Sequence, residues 1–164
     1  MAKVHFLYGE MGTNKGERIK LYQQYAEYAH KAMDLGEKSA EAHFWYFSGL
    51  AREVKLKGIL KVVMTGTVLK VKWQIVWAHE LNAHDASILS GLGGYYWKAP
   101  KIIGGSKEKA RDYLEEAMKS DLHLSFARLT LAKVLHLQAP SDPNFYQFVN
   151  LADAQRYWDK VKNG

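Results

Sequence analysis

Leu89-Ser-Gly-Leu92-Gly93-Gly-Tyr-Tyr96, followed by Ala110-x3-Leu114-x2-Ala117, decides the fold of this 164-residue chain. In helix-turn-helix repeats a bulky residue is followed three and four places later by Leu-Gly and then by Tyr, and the second helix carries Ala-x3-Phe. Leu89 takes the bulky position here and Leu114 the aromatic one. The spacing is that of knobs and holes. Gly93 and Ala110 are small enough to let two antiparallel helices approach, and Tyr96 and Leu114 fill the groove beside them. Such stacked-helix chains usually bind partners rather than transform them.

Self-alignment extends the pattern outward. Ala32-Met33 falls on Ala117-Met118 and Ala42 on Ala127, each at an offset of 85 residues, and the pair Ala78 and Ile88 supplies a copy between them. The turns are Gly36 then Ser39, Asn82 then Asp85, and Asp121 then Ser125. Ser and Asp at such places accept hydrogen bonds from the free N–H groups that open a helix. The expected helices run over about 2–10, 16–35, 40–54, 57–80 with a break near Gly66, 86–98, 106–119, 124–137 and 144–162. Ile19, Tyr22, Ala26, Ala29 and Met33 form one amphipathic stripe. Ser106 is the expected cap of the helix carrying Ala110, and Asp142-Pro143 opens the last helix, which repeats the second-half signature as Ala154-x3-Trp158-x2-Val161. Insertions fall at Lys55 to Lys70, Pro100 to Gly105 and Gln138 to Asn144.

One segment reads two ways. Val71-Lys-Trp73-Gln-Ile75 alternates apolar and polar residues like a strand. Ala78-His-Glu-Leu81 before Asn82 looks like the end of a repeat helix. Helix is the expectation, because a lone strand among helices leaves its backbone groups unpaired.

Bulk properties fit a single helical domain over residues 1–164. The chain is 48% apolar, long enough for a substantial core, and has no cysteine. Disulfides and thiolate metal sites are therefore excluded. The formal charge of +6 favours acidic partners. The basic residues are dispersed and form no recognised nucleic-acid module, so no nucleic-acid partner is expected. The opening MAKVHFLYGEMGTNKGE lacks a signal-peptide pattern, and no apolar run is long enough to span a membrane. The expectation is a soluble chain of unassigned compartment, periplasmic if a signal has been removed and cytoplasmic otherwise.

Tyr8-Gly9-Glu10, Ala42-His-Phe-Trp45, Leu92-Gly93-x2-Tyr96, Pro100-x3-Gly104-Gly105-Ser-Lys-Glu-Lys-Ala110 and Leu131-Ala132 span nearly the whole chain. Together they resemble the divergent tetratricopeptide proteins that include TRAP-transporter-associated periplasmic subunits, the T-components, and regulators of microtubule dynamics. The resemblance implies an all-α fold, an irregular α-solenoid of about eight helices stacked as antiparallel hairpins. It also implies a concave or tunnel-like binding surface, frequent oligomers and no established catalytic residues. The chain departs from the pattern at Leu122, where the repeat normally has Pro, and at Trp73 and Trp77, where polar helix formers would be ordinary.

Three further motifs read as structure rather than chemistry. His79 and His84 are five apart, which puts them some 140° apart around a helix rather than on one face as in a zinc protease. Gly91-Leu-Gly93-Gly94 compares superficially with a dinucleotide loop, but no strand precedes it. Gly104-Gly105-Ser106-Lys107 lacks the order of a phosphate loop, although a helix end there admits an anion. No metal, cofactor or catalytic set is expected.

Aromatic residues make up 13% of the chain, and most are expected in the core. By the repeat register, the first helix of each hairpin faces the concave side. The candidate groove comprises Phe44, Trp45, Ser48, Arg52, Trp73, Trp77, Ser90, Gly91, Gly94, Trp97, Lys98, Lys133 and His136. An aromatic wall with small residues and a few cations suits a peptide, a partner protein or a small apolar ligand with an acidic group. The competing reading has these residues packing against the insertions or a second subunit, and the Trp-rich Val71 to Trp77 face suggests a homo-oligomer. The alternative function is an enzyme using a Trp-lined pocket with an activated Lys or His.

Overall fold

A computed structural model describes residues 14–36, 38–58 and 66–121, together with positions 127, 130, 131 and 134. Among these, five α-helices pack as adjacent antiparallel pairs and no strand occurs. The chain divides into two compact units, residues 1–83 and 84–164.

The first unit holds α1 (Lys15–Leu35), α2 (Ala40–Lys57) and α3 (Thr67–Leu81). Asn14 opens α1 by accepting the Glu17 N–H at 2.9 Å, and Ser39 opens α2 by accepting that of Ala42 at 3.2 Å. Gly58 and Gly66 have φ of 90° and 68°, left-handed values that end α2 and precede α3. Helix α2 packs against both α1 and α3. On the α1 side, a Cβ placed on Gly49 would lie 2.7 Å from a Tyr25 ring carbon and 3.0 Å from the Ala26 Cβ. Only glycine allows that approach.

The segment that alternates like a strand is helical throughout α3. Val68, Val71, Ile75 and Ala78 form its buried stripe, while Leu69, Trp73 and Trp77 form an exposed one. Apolar residues on two opposite faces blur the helical period, which is why period-two alternation appears in the sequence.

The second unit holds α4 (Ala86–Lys98), a 3-10 turn (Lys101–Ile103) and α5 (Lys107–Ser120). Asp85 caps α4 through the Ser87 and Ile88 N–H groups, and Ser106 caps α5 through that of Lys109. Leu89, Ala110, Leu114, Ala117, Met118, Ala127, Leu131 and Val134 form one buried core. The knob-and-hole reading holds at its centre. A Cβ on Gly93 would fall 2.5 Å from Leu114 Cγ and 3.1 Å from the Ala110 carbonyl oxygen. Tyr96 lies beside this contact with its ring stacked on Tyr113, centroids 5.6 Å apart.

The connection between α4 and α5 is built around backbone contacts. Ser106 N–H donates to Tyr96 O at 3.0 Å, and the Tyr95 hydroxyl donates to Ile103 O at 2.7 Å. Gly105 presses on the chain before the turn, where a Cβ would lie 1.7 Å from Ala99 O.

Burial follows one spacing in three helices. Tyr22, Ala26 and Ala29 in α1, Val71, Ile75 and Ala78 in α3, and Ala110, Leu114 and Ala117 in α5 are buried triplets with one spacing. Ala29 and Ala117 are both buried, whereas Ala32, which self-alignment sets on Ala117, is exposed. A slip of three residues keeps nearly the same helix face, so self-alignment tolerates it. Ala127, Thr130, Leu131 and Val134 are helical and buried, within the expected helix at 124–137. The helices expected at 2–10 and 144–162 and the insertion at Gln138 to Asn144 lie outside the described residues.

Gly93→Ala should lower stability by about 1–3 kcal/mol in urea unfolding, because the new methyl meets Leu114 and a backbone carbonyl. Gly105→Ala should cost more, since the clash is with the Ala99–Pro100 backbone, which cannot yield as a side chain can. Gly36→Ala, with nothing within 4 Å of its Cβ, is the control and should stay within about 0.5 kcal/mol of the parent.

Candidate functional site

The groove residues divide between the two units, and each set is a candidate surface of its own unit. In the first, Phe44, Trp45, Ser48 and Arg52 are half-buried on α2. Trp45 donates its ring N–H to Glu41 at 2.9 Å and meets Tyr25 edge-on at 6.1 Å, so it closes the α1–α2 seam. The Ser48 hydroxyl donates to Phe44 O at 2.9 Å, so its proton is spent within the helix. Burial pushes the Tyr25 hydroxyl well above the ordinary tyrosine range, with Ser48 and the Arg52 charge acting the other way.

On α3, Trp73 is 65% and Trp77 47% exposed. Trp73 stands on the face opposite the buried stripe, while Trp77 borders α2 with its ring 6.1 Å from that of His43. His43 is the buried histidine beside a tryptophan that the enzymatic alternative requires. Its Nδ1 lies 2.7 Å from the Gln74 side-chain oxygen, an arrangement that ties α2 to α3.

In the second unit, Ser90 and Gly94 are buried, Gly91 is half-buried, and Trp97 packs partly buried against the core. Lys98 is exposed in the last turn of α4, where a cation complements the helix dipole. Ser90 is 3% exposed, and its hydroxyl has no hydrogen-bond partner among the described residues. Lys133 and His136 lie outside the described residues.

The remaining motifs take structural roles. Gly91, Gly93 and Gly94 lie inside α4, and His79 lies in α3 while Asn82 ends that helix. The helix end after Gly104-Gly105 is satisfied internally: the Ser106 hydroxyl donates to Glu108 at 2.8 Å, and bonds from the Glu108 backbone and Ser106 hold that carboxyl below its usual range. Among the described residues no group of three or more His, Asp or Glu could hold a metal ion. No helix among them is long and apolar enough to cross a membrane.

Sequence reasoning passed over Gly49, although Trp45-x2-Ser-Gly49 repeats the spacing of Leu89-x2-Leu-Gly93. It also missed Glu53, which accepts from Gln23 at 2.8 Å and from Lys57. Gln23 is thirty residues away, and no local pattern marks that pair. Compared with known proteins, the chain matches no protein-family model and no curated protein.

The folded chain keeps Tyr25 protonated where an unfolded chain ionises it, near pH 10. Its contribution to stability is therefore constant below that value and falls as pH rises above it. Tyr46, Tyr95 and Tyr113 are shifted upward by burial and act with the same sign. Urea unfolding at increasing pH should show stability declining above about pH 10, and Tyr25→Phe should make that decline shallower.

Proposed function

We propose that the chain is a noncatalytic binding or scaffold module, built as an irregular tetratricopeptide-like solenoid of about eight helices in antiparallel hairpins. It takes a small apolar ligand bearing an acidic group, in keeping with its resemblance to transporter-associated helical-repeat subunits. Close helix approach at Gly49 and Gly93 supports the stacked-hairpin part of this reading. The binding part is carried by Ser90.

A buried hydroxyl with no partner costs about 1–3 kcal/mol, and native interiors rarely keep one without use. Ser90 precedes Gly91 and lies one turn before Gly94 on the same side of α4. A carboxylate accepting from Ser90 would satisfy the hydroxyl, while the half-buried Trp97 offers apolar surface one turn beyond Gly94. Rigid helices hold these groups before the ligand arrives, so little ordering entropy is lost on association.

Native mass spectrometry of the chain purified without added ligand tests the reading. The parent should retain a small organic acid, and Ser90→Ala should reduce its occupancy at least about tenfold, the effect of losing one hydrogen bond to a charged group. Ser90→Ala should melt at the same temperature or higher, since it removes an unsatisfied buried group. Retention unchanged in Ser90→Ala, or no retained molecule in the parent, would reject the Ser90 site.

A further inference from the structure

Helix α3 carries on its exposed side the sequence Leu69-Lys70-x2-Trp73-x3-Trp77-x2-Glu80-Leu81. Read from either end about Ile75, it gives leucine, charge, tryptophan, then tryptophan, charge, leucine. The two charges have opposite sign. Lys70, Trp73, Trp77 and Glu80 fall within an arc of about 80° at 100° per residue, on the side opposite Val71, Ile75 and Ala78. Lys70 and Glu80 are exposed, and neither has an ion pair among the described residues. With Leu69 58% exposed beside the two tryptophans, the stripe is an apolar surface bounded by one cation and one anion about 15 Å apart along the axis.

We propose that this face docks a second copy of the chain, α3 against α3, in an antiparallel two-fold pair centred on Ile75. A two-fold interface uses the same patch on both copies, so a residue contacting another must be contacted by it in return. With the helices antiparallel and Ile75 at the centre, each Trp73 meets the other copy's Trp77, each Leu69 lies towards its Leu81, and each Lys70 faces its Glu80. All three side-chain pairings are complementary at once. A parallel pair would put Lys70 on Lys70 and Glu80 on Glu80, which like-charge repulsion disfavours. The charge pattern therefore selects the direction as well as the partner.

Leu69, Trp73 and Trp77 together offer roughly 400 Å² of exposed apolar surface per copy. About 800 Å² in total lies below the ~1,200 Å² of stable interfaces, so the dimer is weak and reversible. This interface is independent of Ser90 and of any ligand held there.

Sedimentation velocity from about 1 µM to about 1 mM, with far-UV circular dichroism as the folding control, tests the pairing. The parent should pass from monomer to dimer. Lys70→Glu and Glu80→Lys should each weaken the dimer at least about tenfold. An equimolar mixture of the two should form a heterodimer of near-parental strength, and so should the doubly exchanged chain with itself, because each restores opposite charges across the axis. Trp73→Ala should remove the dimer with helicity retained. A parent that stays monomeric throughout, charge exchange that fails to restore association, or a dimer indifferent to all of these changes would overturn the proposal. A stripe covered by another segment of the same chain would appear as the first of these outcomes.

Discussion

The second unit depends on the contact of Gly93 with Leu114 and the Ala110 carbonyl. Helix axes approach only as far as their side chains permit, and here one helix brings hydrogen where the other brings an isobutyl group and bare backbone. That closeness lets Leu89, Ala117 and Met118 bury together with Leu131 and Val134, and it brings the Tyr96 and Tyr113 rings face to face. The first unit uses the same device, with Gly49 against Tyr25 and Ala26. Small residues placed opposite large ones thus set the geometry of both units, and the polar contacts fit around them.

Helices were legible wherever apolar spacing, capping residue and turn chemistry agreed. Asp85 and Ser106 cap the helices expected of them, and Gly36 and Asn82 close the helices that precede their turns. Register was less legible. A shift of three residues leaves a helix face nearly unchanged, so Ala32 matches Ala117 in sequence although Ala32 is exposed and Ala29 is the buried residue of that face. Strand-like alternation in α3 arose because that helix is apolar on two sides, a situation that neither period describes.

The candidate site was legible in residue type more than in placement. Phe44, Ser48 and Arg52 do share a helix, but Ser48 bonds within α2 and Trp45 belongs to the seam with α1. Nothing in local spacing distinguishes a serine that donates to its own helix from one that finds no partner among the described residues. That difference between Ser48 and Ser90 depends on surroundings brought in from elsewhere in the chain. The His43–Gln74 and Gln23–Glu53 pairs are similarly products of packing, each joining residues about thirty positions apart.

Among the described helices of the first unit, α2 has extensive neighbours on two sides, while α1 and α3 make little contact with each other. Of these three, either flanking helix gives up one described seam when it loosens, but α2 gives up both. Local opening is therefore directional, beginning at the flanks and reaching Phe47 and Leu50 last. The middle helix acts as the unit's cooperative spine, and disturbance reaching it from one flank is felt at the other.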